Sequence, residues 1–153
     1  GSGNYIYANK IRFVGNYYND KMHGHGILTL ANGNIYDGNW ANGNKNGQGT
    51  FTWNNGNRYT GGWKDNNYHG HGELKYSNGN CYVGAFENDK KNGHGVLSWA
   101  DGDRYEGNYK DDKRNGKGKY TWTNGNSFDG DFLDSKKHGT GLFIYANKDR
   151  YLG

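Results

Sequence analysis

A triplet of aromatic residue, any residue, then glycine returns along this chain every 23 residues without slippage. It reads Phe13-Val14-Gly15, Tyr36-Asp37-Gly38, Tyr59-Thr60-Gly61, Tyr82-Val83-Gly84, Tyr105-Glu106-Gly107, Phe128-Asp129-Gly130 and Tyr151-Leu152-Gly153. A fixed period of about 20–50 residues marks a repeat array, in which each unit buries its apolar face only against its neighbours. Each position therefore belongs to a column of equivalent residues. Individual chemistry has to be sought where a residue departs from its column.

One repeat reads as a β-hairpin. Gly24 to Leu30 is a short strand, Ala31-Asn32-Gly33-Asn34 follows, and Ile35 to Trp40 is the return strand. Asn-Gly predicts a two-residue type I′ turn, because both central positions need positive φ. The same column holds Asn55-Gly56, Asn78-Gly79, Asp101-Gly102 and Asn124-Gly125. Six-residue polar segments, such as 41–46, are expected as loops leading to the next hairpin. No helical periodicity occurs, so the chain is predicted to be all-β, an antiparallel hairpin meander of about thirteen or fourteen strands.

Strand alternation sorts the side chains onto two faces. One face carries the Tyr36 column, the Gly38 column and the Trp40 column, which runs Tyr17, Trp40, Trp63, Phe86, Tyr109, Phe132. It also carries the Leu28 column and the Leu30 column, the latter running Tyr7, Leu30, Trp53, Tyr76, Trp99, Trp122, Tyr145. The other face is mixed, with Arg58, Thr60, Lys75 and Glu106. The glycines among the aromatics are expected to let rings lie over backbone, and the rings to stack along the array at offset geometry. Twist at those glycines would curl the sheet into a trough with the aromatics inside. Trp63 and Trp99 have repeats on both sides and are expected to be substantially buried.

Composition bounds the alternatives. The 153 residues include no Pro, 28 Gly, 14 Tyr and 5 Trp, and only 31% are apolar. So low an apolar share leans toward disorder, but aromatics held in register argue for a fold. No stretch is long enough to span a membrane and no apolar signal segment is present. The single Cys81 excludes an internal disulfide and suits a reducing compartment, so a cytoplasmic location is expected. Cys81 shares its column with Ile35, Arg58, Arg104 and Ser127, which makes it a tolerated substitution rather than a nucleophile. The net charge of +4 is spread thinly along the chain.

Nothing here reads as an enzyme. His23-Gly24-His25 and His69-Gly70-His71 invite a metal, but these histidines share columns with Asn46, Asn92 and Asn115, or with Gln48, Lys117 and Thr140. Equivalent residues of adjacent hairpins lie about 9–10 Å apart, too far for side chains that need about 2.0–2.1 Å to one zinc ion. Gly43-Asn44-Lys45-Asn46-Gly47 lacks the Lys-Ser/Thr ending and the following helix of a phosphate loop. No triad or acid–base pair converges. Neither metal nor cofactor is expected, and no uncompensated basic stripe speaks for nucleic acid.

These columns resemble the MORN repeat (membrane occupation and recognition nexus). Tyr36-Asp37-Gly38-Asn39-Trp40, then Gly43, Gly47-Gln48-Gly49 and Gly56, fits its pattern except that Asn44 stands where the family has Lys. The match covers full repeats at 13–35, 36–58, 59–81, 82–104, 105–127 and 128–150, with a half-repeat at 1–12 and a partial one at 151–153. Starting and stopping part-way through a repeat, the chain reads as a fragment of a longer array. One departure is systematic: the loop glycine survives only at Gly43, and the column otherwise holds Asp20, Asn66, Asp89, Asp112 and Ser135. The resemblance implies an elongated, twisted single-sheet rod acting as a non-catalytic scaffold at a membrane–cytoskeleton boundary. It also brings two alternatives, a phospholipid-binding or membrane-targeting module and a regulatory appendage of an enzyme outside this chain.

Three sets of residues become candidates. A groove for a protein partner, peptide or helix would be lined by Tyr36, Trp40, Trp53, Tyr59, Trp63, Tyr76, Tyr82, Phe86, Trp99, Tyr105, Tyr109 and Trp122. Anionic phospholipid would be met by the loop pairs Lys90-Lys91, Lys113-Arg114 and Lys136-Lys137, although nearby acids such as Glu87, Asp89, Asp111, Asp112 and Asp134 partly neutralise them. Leu142, Ile144, Tyr145, Tyr151 and Leu152 would form an end through which two copies dimerise.

Overall fold

The computed structural model describes residues 1–153, all in strands and turns with no helix. No helix is therefore long and apolar enough to cross a membrane. The chain divides into two compact units, Gly1–Ser77 and Asn78–Gly153. The first holds β1 (Ser2–Ile6), β2 (Arg12–Tyr18), β3 (Lys21–Thr29), β4 (Ile35–Ala41), β5 (Asn44–Thr52), β6 (Arg58–Lys64) and β7 (Asn67–Lys75). The second holds β8 (Cys81–Glu87), β9 (Lys90–Ser98), β10 (Arg104–Lys110), β11 (Lys113–Thr121), β12 (Ser127–Leu133), β13 (Lys136–Ile144) and β14 (Arg150–Leu152). Within each unit, strands adjacent in sequence pair antiparallel, as in β3 with β4 and β10 with β11. The meander expected from the repeat is what forms.

The two kinds of turn are exchanged relative to expectation. At Asn32-Gly33 only the glycine has positive φ, 92°. The Leu30 carbonyl accepts the Gly33 amide and Leu30 in turn donates to Asn34. That is a type I turn followed by a left-handed glycine bulge, not a type I′ turn. The cause is local: the Asn32 side-chain oxygen accepts the Asn34 amide at 3.0 Å, an Asx bond that holds Asn32 at negative φ. The equivalent bond recurs at Asn55, Asn78, Asp101 and Asn124. The type I′ turns lie instead inside the expected six-residue loops. Asn42 and Gly43 have φ of 51° and 84°, and Asp111 and Asp112 have 49° and 69°. Ala41 pairs with Asn44, and Lys110 with Lys113, so both strands run up to a two-residue turn.

Past each type I′ turn the register slips. Between the pairs Gly38↔Gly49 and Trp40↔Lys45, Asn39 alone opposes three residues, with Gly47 at φ 93°. This bulge brings position 45 directly opposite Trp40. It does the same at Trp63↔Tyr68, Phe86↔Lys91, Tyr109↔Arg114 and Phe132↔Lys137, the last in an equivalent irregularity of β12 and β13.

Alternation along the strands is as expected, and β4 and β10 bury every second residue. Tyr36, Tyr59, Tyr82, Tyr105 and Phe13 are the most completely buried large side chains. Each ring lies over a pair of cross-strand glycines. A Cβ on Gly72 would come within 2.5 Å of the Tyr59 hydroxyl, and one on Gly61 within 2.5 Å of Gly72 Cα. Any larger residue would push the ring off the backbone. The hydroxyl then reaches past the glycine to a carbonyl three residues on: Tyr36 donates to Asn39 at 2.8 Å, Tyr59 to Gly62 at 2.7 Å and Tyr105 to Asn108 at 2.9 Å.

Stacking occurs at Tyr59–Tyr68, Trp122–Phe143 and Phe143–Tyr145, but the Tyr36 and Trp40 columns meet edge to face. Tyr36 contacts Trp40 of its own repeat at 5.0 Å and Trp63 of the next at 5.2 Å, both at 85°. Tyr105 contacts Tyr109 and Phe132 at 89° and 82°. An edge of one ring meets the face of the other in each pair, which the ring quadrupole favours. Trp63 is buried as expected, at 6% exposure. Trp99 is only half-buried, because it stands in the turn after β9 rather than inside a strand.

Candidate functional site

In each unit the aromatic face has two rows. The inner row is the Tyr36 and Trp40 columns, and it is sealed: Tyr36, Trp40, Tyr59, Trp63, Tyr82, Phe86, Tyr105 and Tyr109 are all buried. The outer row is half-exposed, with Trp53 and Tyr76 in the first unit and Trp99 and Trp122 in the second. Of the twelve groove candidates, only these four present surface to a partner. The eight inner rings form the floor, where Trp40 Nε1 donates to the Gly26 carbonyl at 3.0 Å and Trp63 Nε1 to Gly49 at 3.1 Å.

Across the rows lies a third set of side chains that the sequence reading placed in loops. Lys45, Lys91, Arg114 and Lys137 are set by the bulge opposite the Trp40 column. Lys45 Nζ sits 5.4 Å from the Trp63 ring centre and 5.7 Å from Tyr36. Lys91 Nζ lies 5.4 Å from Tyr82. The Arg114 guanidinium is within 5.5–5.9 Å of Trp99, Tyr105, Tyr120 and Phe132. Lys137 Nζ is 4.7 Å from both Trp122 and Phe143. Cations at such distances are attracted to the faces of the rings. Tyr68 occupies the same column and stacks on Tyr59 at 4.1 Å instead.

The basic pairs are therefore split. Lys91, Arg114 and Lys137 lie on the aromatic face, whereas Lys90 pairs across the strands with Glu87, on the mixed face. Lys90 and Lys113 line a mixed-face cleft with Lys110, Asp111 and Asp134. Strand alternation explains this, because neighbours in a strand cannot share a face. Lys136, paired with Leu133, also lies on the mixed face. The dimer candidates divide in the same way. Leu142 pairs with Leu152 and lies with Ile144 on the mixed face, while Tyr151 pairs with Phe143 on the aromatic face beside Tyr145. Tyr151 and Leu152 are 60% and 71% exposed.

The cation column is anchored from the next repeat. The side chains of Asn66 and Asp112 accept the backbone amides of Lys45 and Lys91 at 2.8 Å, and Ser135 Oγ accepts that of Arg114 at 3.1 Å. Arg114 Nη2 also donates to the Ser135 carbonyl at 2.7 Å. This is the physical content of the departure from the loop glycine: a side chain at that position ties one turn to the next. Burial dominates the electrostatics of the face. It pushes the Tyr105 hydroxyl up to about 12 against the opposing pull of Arg114, and it raises Tyr36 and Tyr82 further. Tyr120 rises to about 12 by burial and by its hydrogen bond to Asp103.

The mixed face carries a cross-strand hydrogen bond between His25 and Asp37 at 2.7 Å and an ion pair between Lys117 and Asp131 at 3.0 Å. Each is well exposed and worth little to stability. No group of three or more His, Cys, Asp or Glu side chains gathers anywhere on the chain.

Units of stacked β-hairpins, each with a sealed aromatic floor, a half-open aromatic rim and cations over the rings, define a repeat protein of the protein-interaction kind. The MORN repeat family matches six times in succession, at residues 13–35, 36–58, 59–81, 82–104, 105–127 and 128–150, and the chain belongs to that family. No curated protein sequence matches it. Among solved structures, it is similar to the TCP domain of SAS-4 (dCPAP) of Drosophila melanogaster in complex with a proline-rich motif of Ana2 (dSTIL). The TM-score is 0.62 at 12% identity, over 100% of this chain and 83% of that one. It is also similar to the wild-type TCP10 domain of Danio rerio CPAP, with a TM-score of 0.56 at 14% identity, over 98% of this chain and 71% of that one. At such identities the likeness is one of fold.

Proposed function

We propose that this chain is a non-catalytic scaffold module that seats an extended segment of a protein partner on its aromatic face. The observation that carries the reading is the half-exposed pair Trp99 and Trp122 of the second unit, repeated as Trp53 and Tyr76 in the first, each pair standing over a floor of rings already satisfied by one another. Large, rigid aromatics of this kind supply contact area at small entropic cost, which is why they dominate binding hot spots. The proline-rich motif bound by the similarly folded SAS-4 domain supports an extended ligand on such a sheet. The family's place at membrane–cytoskeleton boundaries supports a cytoplasmic organiser. Anionic lipid has less support as the occupant, since only one cation of each basic pair faces the aromatics and a polybasic lipid site gathers about 4–8 uncompensated charges.

Display of random twelve-residue peptides on the intact chain tests the reading. Selected peptides should perturb the indole signals of Trp99 and Trp122 in NMR spectra, and should bind a Trp99→Ala/Trp122→Ala variant at least about tenfold more weakly. Peptides that map to the mixed face, or that bind this variant undiminished, would overturn it.

A further inference from the structure

We propose that the aromatic face of the second unit reads a proline-rich acidic segment in polyproline II conformation, with a carboxylate at every third residue. The inference rests on the partner-binding reading above and names the chemistry of the partner.

Three observations lead to it. First, Lys91, Arg114 and Lys137 make no ion pair. Each is held over aromatic rings instead, and Arg114 spends one donor on the Ser135 carbonyl while its other guanidinium N–H groups remain. Two carboxylates beside this face are engaged by other donors: Asp112 accepts the Lys91 amide, and Asp103 accepts the Tyr120 hydroxyl and the Thr123 amide. The three cations are thus prepared for an anion from outside. Second, a cleft of about 390 Å³ opens beside Arg114 and Lys137, lined also by Tyr120, Trp122, Phe132, Ser135 and Lys136. Such a place has room for a carboxylate beside an apolar ring such as proline.

The third observation is the spacing. One cation stands on each successive hairpin, and a hairpin occupies two strand widths, about 9.4–9.8 Å. A polyproline II chain rises about 3.1 Å per residue with three residues per turn, so the same side of it returns every 9.3 Å or so. A segment laid across the strands would therefore stay in phase with Lys91, Arg114 and Lys137 over all three hairpins. A β-strand ligand, at about 3.3 Å per residue with alternating faces, presents one side every 6.6 Å or so and falls out of phase at the second cation. The position is not the family's own lysine, which falls one residue earlier at Lys90, Lys113 and Lys136 and lies on the other face.

Fluorescence anisotropy on the full chain tests this with labelled (Glu-Pro-Pro)3, its neutral counterpart (Gln-Pro-Pro)3, and an isomer in which three Glu precede six Pro. The periodic acidic peptide should bind at least about tenfold tighter than either control at low salt, and the advantage should shrink as salt screens the pairs. A Lys91→Gln/Arg114→Gln/Lys137→Gln variant should lose that advantage, binding the acidic and the neutral periodic peptides within about twofold of each other. Because the three peptides are compared on the unaltered chain, the test holds even where the triple variant folds poorly. Equal binding of the isomer overturns the period, and equal binding of the Gln peptide overturns the carboxylates. In both cases the partner-binding reading survives if displayed peptides still map to Trp99 and Trp122. Binding to phosphatidylserine vesicles that depends on the three cations, with no peptide binding, overturns the proposal in favour of a lipid surface. If no peptide of either experiment binds, both readings fall together.

Discussion

At the scale of single residues, the loop-glycine column shows a cost and a gain in balance. Asp112 adopts φ of 69°, a left-handed conformation that a non-glycine residue enters at a cost of about 1–2 kcal/mol. In return its carboxylate accepts the Lys91 amide at 2.8 Å, a charge-assisted bond worth about 1.5–3 kcal/mol. The two terms nearly cancel, which is why glycine and short polar residues share the column. Asp112→Ala keeps the strain and loses the bond, and should lower stability by about 2 kcal/mol. Asp112→Gly loses the bond but also the strain, and should lie within about 1 kcal/mol of the parent. Urea denaturation of the three proteins reads the order, and an alanine variant as stable as the glycine one would show that the bond contributes nothing. The column was plain in the sequence as a set of turn formers. Its second use was not, because the amide it serves is 21 residues away.

At the scale of the hairpin, burial is decided by position relative to the turn. Trp63 lies inside β6, 6% exposed, with Tyr36 and Tyr59 both at 5.2 Å. Trp99 stands just beyond β9 and shares its exposed side with Arg114. Trp63→Ala should therefore cost about 3–5 kcal/mol, the range for a fully packed ring. Trp99→Ala removes a half-covered ring and should cost about 2 kcal/mol or less, while weakening partner binding far more than Trp63 variants that still fold. Thermal melts compare the two, and an equal loss would mean that the outer row is as structural as the inner one. The Trp40 and Leu30 columns looked alike in sequence, since both are runs of aromatics on one face. Only the placement of the strand ends separates floor from rim.

At the scale of the whole molecule, the tyrosines make stability depend on alkaline pH. A free phenol titrates near pH 10. Burial pushes Tyr105 up to about 12 and raises Tyr36 and Tyr82 beyond that. At high pH the unfolded chain has then released protons that the folded chain retains. These groups' contribution is fully present below about pH 10 and is lost as pH rises through the folded values. The melting temperature should stay level to about pH 10 and fall steadily above it. A Tyr36→Phe/Tyr105→Phe variant should fall less steeply, since Phe13 and Phe128 show that the column accepts a ring without a hydroxyl. A melting temperature that stays level to pH 12 would contradict the buried, proton-retaining tyrosines.

What the sequence alone determined is everything that repeats in one dimension. The period, the all-β class, the two faces and the glycines under the rings all follow from spacing and from the two-residue alternation of a strand. These are local rules that a column of residues states many times over. What the tertiary structure decided is register: that three residues oppose Asn39, and hence that Lys45, Lys91, Arg114 and Lys137 lie over the aromatics instead of in solvent loops. The physical reason is that the bonds setting this register join neighbouring hairpins, Asn66 to the Lys45 amide and Asn34 to the Asn54 amide. They exist only once one hairpin has docked beside the next.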